Sequence, residues 1–328
     1  MTVMSHMHPR DVRSVAVIGT GSVGASWAAL FLAHGMDVVA FDPALGAEAF
    51  TRDFVEKAWS ALLELGIAAS EKIPRERLRF VGSAAEAAAL ADVVQENVPE
   101  KLELKARVLR EIDQAAGPEK IIISSTGGIP PSTLQEFCSH PGRFVVVHPF
   151  NPSHLIPLVE VIGGKLTDAA TIGWAIEFSR HLGKQPICID GELSGHMTNR
   201  LQFALVREAV ACLVDGIATA EDIDAAVRYG LGPRWMLMGP LLTMHLAGGP
   251  GGMKGILDHA GAALEDWWTP RSQPKLTPEV KQRLVVAAEK VSREKSIADW
   301  VHWRDENLVR VIKLQKQGQD DEPGAYGL

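Results

Sequence analysis

Residues 15–31 read VAVIGTGSVGASWAALF. A short Val/Ile run of strand character stops at Gly19, and an apolar helical pattern begins just beyond Gly21. Between them Gly19, Gly21 and Gly24 stand in G-x-G-x-x-G spacing. Thirty glycines make that spacing weak by itself, but a strand before it and a helix after it are the context it needs. Gly19 permits a tight turn, Gly21 lets backbone approach a diphosphate, and Gly24 lets helix and strand pack closely. The first helical turn, with Ser22 and Val23, offers free N–H groups and the positive end of the helix dipole to phosphates. The stretch therefore predicts a dinucleotide site.

The pattern around it repeats. Residues 14–19, 37–42, 91–97, 120–125, 143–148 and 185–190 read as Val/Ile-rich strands, with helical patterns over 22–34, 44–65 and 100–115. Such alternation predicts an α/β, Rossmann-like, mostly parallel sheet covered on both faces. Beyond about residue 192 the periodicity turns helical and stays so to 316. Thr219 followed by Asp222 predicts a capped helix start, with Gly230 as its stop. The expected organisation is a nucleotide-binding domain over 10–192, an all-α C-terminal domain over 193–318, and a mobile tail over 319–328. The first thirteen residues read as a loose lead-in.

Composition narrows the function. The net charge of -7 argues against nucleic acid or an anionic membrane as the main partner. No apolar run approaches the roughly 18 residues of a membrane span. Cys138, Cys188 and Cys212 are widely spaced and odd in number, as in a reduced cytoplasmic protein. The eleven histidines show no ligand spacing, so no metal is expected.

The second predicted strand ends at Asp42. A carboxylate there accepts from both ribose hydroxyls and repels a 2′-phosphate, which favours NAD over NADP.

Residues 148–161 read HPFNPSHLIPLVEV. Glu160 lies inside an apolar strand-like run, where an unpaired charge is costly. His148 is its candidate partner.

Taken together, these residues resemble the 3-hydroxyacyl-CoA dehydrogenase superfamily, particularly the lambda-crystallin and L-gulonate 3-dehydrogenase branch and the neighbouring L-carnitine dehydrogenases. The likeness spans about 12–316. It is carried by GTGSVGASWA, VPEKLELK (98–105), the HPFNP segment, NRLQFALVREA (199–209), GLGPRWMLMGP (230–240), TMHLAGGPGGMKGILDHAG (243–261) and WRDENLVRVIKLQ (303–315). The resemblance implies NAD-dependent oxidation of a 3-hydroxy group to a ketone, in a cleft between two domains of a homodimer. It implies His148 as general base, Glu160 as its partner and Asn199 on the reacting oxygen. Glu100, Lys105 and Asn151 are implied near the nicotinamide.

One departure bears on chemistry. The superfamily usually carries a hydroxyl residue after the fifth strand, where this chain reads SSTGG, with Gly127 at the matching position. Ser125 and Thr126 remain as candidate substrate contacts. Arg234, in GLGPRW, offers a guanidinium fork suited to a free carboxylate. Trp235, Trp267 and Trp268 suit either packing or a trimethylammonium group. The expected substrate is thus a small free 3-hydroxy acid, gulonate-like or carnitine-like. The alternatives are an acyl-CoA dehydrogenase and a crystallin-like dinucleotide-binding structural protein.

Overall fold

The computed structural model describes residues 6–269, 272–293 and 295–320. They fall into two compact units that meet between Asn199 and Arg200.

The first unit is built on one eight-stranded sheet. Its strands are β1 (Ser14–Ile18), β2 (Asp37–Phe41), β3 (Leu78–Phe80), β4 (Val93–Glu96), β5 (Ile122–Ser124), β6 (Phe144–Pro149), β7 (Leu158–Ile162) and β8 (Gln185–Cys188). The order is β3-β2-β1-β4-β5-β6-β7-β8. All adjacent pairs are parallel except β6–β7, where the chain turns back. β3 was not expected from the sequence; it is three residues long and too short for a period to register.

The helices of this unit are α1 (Ser22–Ala33), α2 (Ala47–Glu64), α3 (Ala84–Leu90), α4 (Leu102–Ala115), α5 (Pro131–Gln135) and α6 (Ala169–His181). Strand alternation divides the core. Val15, Val17, Val145 and Val147 pack with Trp27, Phe31, Val55, Trp59 and Trp174 from α1, α2 and α6. Ala16, Ile18, Phe144 and Val146 pack with Ala87, Leu109, Ile112 and Leu134 from α3, α4 and α5. Both faces are covered, which is why the strands read as continuous apolar runs. α3 escaped the sequence reading because its alanines carry little periodic signal; the Ser83 hydroxyl caps it by accepting from Glu86 N–H.

The predicted loose start is packed from His6 onward. Pro9 is buried, and the Trp174 indole donates to the Met7 carbonyl at 2.6 Å. Residues 1–5 lie outside the described ones.

The second unit is helical. α7 (Met197–Val214) opens just before it; α8 (Ala220–Ala225), α9 (Gly232–Ala247), α10 (Gly252–Trp268), α11 (Pro278–Ser292) and α12 (Ile297–Asp320) follow. Thr219 caps α8 as expected, but Gly230 does not stop the chain. A π-helical turn over Ala226–Leu231 runs into α9, whose break comes at Gly239 (φ 66°) before Pro240. Arg283 ties α11 to α7 through the Leu213 and Val214 carbonyls, and Gln315 ties α12 to α9 through Met236. Helix continues to Asp320 through the start of the expected tail; the rest of that tail, 321–328, lies outside the described residues. No helix among the described residues is long and apolar enough to cross a membrane.

Candidate active site

The dinucleotide loop lies between β1 and α1, where the strand order reverses between β1 and its neighbour β4. Ligands of open α/β sheets bind at such a point. Gly19 adopts φ 83°, and a Cβ on it would meet the Asn97 backbone at 3.0 Å. A Cβ on Gly24 would lie 1.9 Å from the Gly19 carbonyl oxygen, so no side chain fits. Around Gly21 a Cβ would find no atom within 4 Å. Gly21 thus faces open space, and no side chain caps the start of α1 at Ser22 and Val23. That is the cradle a diphosphate needs.

Asp42 follows β2 directly. Its Oδ2 accepts from the Thr20 N–H at 2.7 Å, and its Oδ1 from the Ala44 N–H at 2.9 Å. The carboxylate is therefore held against the glycine loop, where the Thr20 hydroxyl also approaches Oδ2 at 3.4 Å, and Oδ1 keeps lone-pair capacity for a ribose hydroxyl.

The dyad sits where the parallel run stops, at β6 and β7. His148 and Glu160 are Cα partners across the antiparallel β6–β7 pair, so their side chains share a face. His148 Nδ1 lies 2.8 Å from Glu160 Oε2, and both residues are buried. Glu160 Oε1 accepts from the Thr198 N–H at 2.7 Å and from its hydroxyl at 2.9 Å. Burial alone would raise the Glu160 carboxyl, but these bonds from His148 and Thr198 hold it below its ordinary value. With Nδ1 engaged, Nε2 of His148 is the nitrogen free to take a proton.

Asn199 Nδ2 donates to the Gly127 carbonyl at 3.0 Å, which leaves its second N–H and its Oδ1 uncommitted to that bond. A Cβ on Gly127 would lie 3.1 Å from His148 Nε2 and 3.5 Å from Asn199 Nδ2. The structure thus brings His148, Glu160, Asn199 and Gly127 together.

The neighbouring hydroxyls are turned elsewhere. Ser125 Oγ donates to Asn97 Oδ1 at 2.9 Å and accepts from Trp27 Nε1 at 3.1 Å and Gln95 Nε2 at 2.9 Å. One donor and two acceptor sites are all a serine has, so Ser125 has nothing left for a substrate. Thr126, 1% exposed, donates to Glu100 Oε1 at 2.5 Å and accepts from the Ile129 N–H at 3.3 Å. The Ser125 hydroxyl is thus saturated within the protein, while the Thr126 hydroxyl keeps one acceptor site.

Lys105 is held by carboxylates. It is 1% exposed and pairs with buried Glu96 at 2.9 Å and with Glu100 at 3.6 Å. Through Glu100 it is linked to the strip after β5. Burial alone would raise the Glu100 carboxyl, yet the Thr126 hydroxyl, Lys105 and the Ile129 and Gly128 N–H groups keep it low. Asn151 is exposed in the loop after β6. Arg234, in the helical unit, is exposed, with its Nε on the Gly230 carbonyl at 3.3 Å. Trp235, Trp267 and Trp268 are exposed as well.

Thr198, Glu96 and His196 escaped the sequence reading. Thr198 and His196 lie within three residues of Asn199, so proximity to a motif was the available signal; Glu96 had none beyond a carboxylate at a strand end.

A dinucleotide loop at a sheet's switch point, together with a buried His–Glu dyad, defines an NAD-dependent dehydrogenase. Comparison with known proteins places it more narrowly. Residues 14–193 match the 3-hydroxyacyl-CoA dehydrogenase NAD binding domain, and residues 195–297 match the 3-hydroxyacyl-CoA dehydrogenase C-terminal domain. The chain belongs to the 3-hydroxyacyl-CoA dehydrogenase family. It is 46% identical to an L-carnitine dehydrogenase of Bacillus cereus, over 96% of each chain. It is 43% identical to an L-carnitine dehydrogenase of Pseudomonas aeruginosa, over 92% of this chain and 94% of that one. Among solved structures, an NAD+-dependent 5-formyl-3-hydroxy-2-methylpyridine 4-carboxylic acid 5-dehydrogenase is 30% identical, with a TM-score of 0.79 over 93% of this chain and 99% of the other. A 3-hydroxybutyryl-CoA dehydrogenase of Escherichia coli is 29% identical, with a TM-score of 0.63 over 86% of this chain and 58% of that one.

Proposed function

We propose that this chain oxidises the 3-hydroxy group of L-carnitine, or of a closely similar small free 3-hydroxy acid, to the 3-keto acid. The observation that carries the reading is an intact His148–Glu160–Asn199 set in a chain that matches L-carnitine dehydrogenases over nearly its full length.

The residues that would hold NAD are the Gly19–Gly24 loop, the start of α1 at Ser22 and Val23, and Asp42, with Glu100 and Asn151 toward the nicotinamide. When bound, NAD supplies the hydride acceptor. His148 Nε2 accepts the proton of the substrate hydroxyl as the C–OH becomes C=O. The imidazolium so formed is buried, and Glu160, held ionised by Thr198, stabilises it and fixes the tautomer. Asn199 donates its free N–H to the oxygen as charge develops there. Arg234 pairs with the substrate's carboxylate, for which an exposed guanidinium fork is suited.

An acyl-CoA substrate and a purely structural role are less well supported. The first leaves Arg234 without a use, and the second leaves a buried charged dyad without one. We further propose a cytoplasmic homodimer formed through the helical unit. In its support, that unit leaves the large apolar side chains of Leu201, Phe203, Leu237, Leu241, Trp267 and Trp268 exposed, the kind of side chain that a partner surface covers.

The test is NADH absorbance with L-carnitine, L-gulonate, L-3-hydroxybutyrate and its CoA thioester. L-Carnitine is expected to give the highest kcat/KM. Preference for the thioester would overturn the free-acid reading.

A further inference from the structure

The segment that opens α7 is pinned to the strip after β5 through three consecutive carbonyls. The Gly195 N–H donates to Gly128 O at 3.2 Å, His196 Nε2 to Thr126 O at 3.0 Å, and Asn199 Nδ2 to Gly127 O at 3.0 Å. His196 is the unusual member. It is 1% exposed and stands at φ 49°, a left-handed conformation that a side-chain-bearing residue keeps only where its surroundings enforce it. Its ring centroid lies 5.2 Å from that of His148, which also meets Phe150 edge-on at 4.7 Å. The bond to Thr126 requires the hydrogen on Nε2, so in the neutral ring Nδ1 is a bare acceptor. Nδ1 is buried and has no hydrogen-bond partner.

We propose that His196 is a positioning residue for the base: a neutral imidazole that fixes the ring of His148 and confines the reaction's proton to it. The proposal rests on the reading of His148 as general base. A proton taken at His148 Nε2 has no path to His196. An N–H at His196 Nδ1 would be buried without an acceptor, and the resulting cation would lack the directly bonded carboxylate that Glu160 gives His148. The proton therefore leaves His148 by the nitrogen through which it came, since Nδ1 is committed to Glu160.

The groups facing His196 are His148 on β6, Glu160 on β7, and Glu100 ahead of α4. Burial disfavours its protonation most; the Thr126 carbonyl opposes this, His148 adds to it, and Glu160 and Glu100 oppose it. The net direction is below the ordinary histidine value. This agrees with what the orphaned Nδ1 already requires.

The experiment is histidine-selective 15N NMR from pH 8 to 5, with the His196 signals identified by their loss in His196→Phe, alongside kinetics and NAD titration of His196→Ala and His196→Phe. His196 is expected to keep the nitrogen shifts of a neutral Nε2–H ring at pH values where an ordinary histidine is protonated. His196→Ala is expected to lower kcat at least about tenfold, as small displacements of a reacting group do, with the NAD Kd within about twofold. His196→Phe, which keeps a neutral ring beside His148, should recover most of that loss. A His196 that titrates near 6.5, an Ala variant with unchanged kcat, or NAD affinity falling in step with kcat would each overturn the proposal. If the Ala variant does not fold, the titration and the Phe variant decide. Full turnover in His148→Ala would instead sink the base assignment and leave the His196 titration standing.

Discussion

His148 and Glu160 are direct partners across the β6–β7 pair, with Nδ1 and Oε2 2.8 Å apart. Their meeting depends on β7 running antiparallel to the strand before it. Residues twelve apart then face each other across a short loop, and a carboxylate enters an apolar strand without being left unpaired. His148→Ala is expected to cut kcat by about 100-fold or more, within the range for loss of a general base, with NAD binding unchanged. Glu160→Gln should lower kcat and alter its pH profile. Near-normal turnover in His148→Ala, measured by NADH absorbance, contradicts the assignment.

The depressed Glu160 carboxyl has a pH consequence. Because the folded protein keeps it ionised below its ordinary value of 4.5, its contribution to stability is present above the unfolded value and is lost as pH falls through the folded one. Denaturant titrations of the parent and Glu160→Gln should therefore differ most near neutrality and converge in acid. A difference that grew toward acid would oppose this.

Asp42 should exclude NADP. Its carboxylate repels a 2′-phosphate and is anchored by the Thr20 and Ala44 N–H groups. The parent should favour NAD in kcat/KM by a wide margin, and Asp42→Ala should narrow that margin by about tenfold or more. Equal use of both cofactors by the parent would place the ribose elsewhere.

Gly127 is expected to resist repair. Serine would restore a hydroxyl, but its Cβ would lie 3.1 Å from His148 Nε2, so the base must shift. Gly127→Ser and Gly127→Ala should both lower kcat by about tenfold with NAD Kd unchanged. Higher turnover in the serine variant alone would mean that the missing hydroxyl limits the parent.

Arg234→Met should raise KM for a free acid by at least about tenfold if bound substrate shields the now exposed guanidinium from water, given the few kcal/mol lost when a desolvated charge pair is truncated. An ester of the same substrate should be poor with the parent and lose little more in the variant. An unchanged KM for the acid removes Arg234 from the substrate site.

Much of the molecule is legible in local sequence because the signals are local. The glycine spacing sets its own turn, and Val/Ile runs buried on both faces announce a parallel sheet. Asp42 is legible because it ends a strand, and the dyad because both residues sit in one fourteen-residue segment. The remaining features depend on long-range pairing. Nothing near Ser125 in sequence says that Trp27, Gln95 and Asn97 saturate its hydroxyl. That Lys105 is buried against Glu96 follows only from where β4 lies. Thr198 and His196 acquire roles only when the start of α7 is laid on the strip after β5 and on Glu160. Spacing along a chain fixes which residue types are present. Which hydrogen bonds each side chain has left to give is decided only when strands far apart in sequence are brought together.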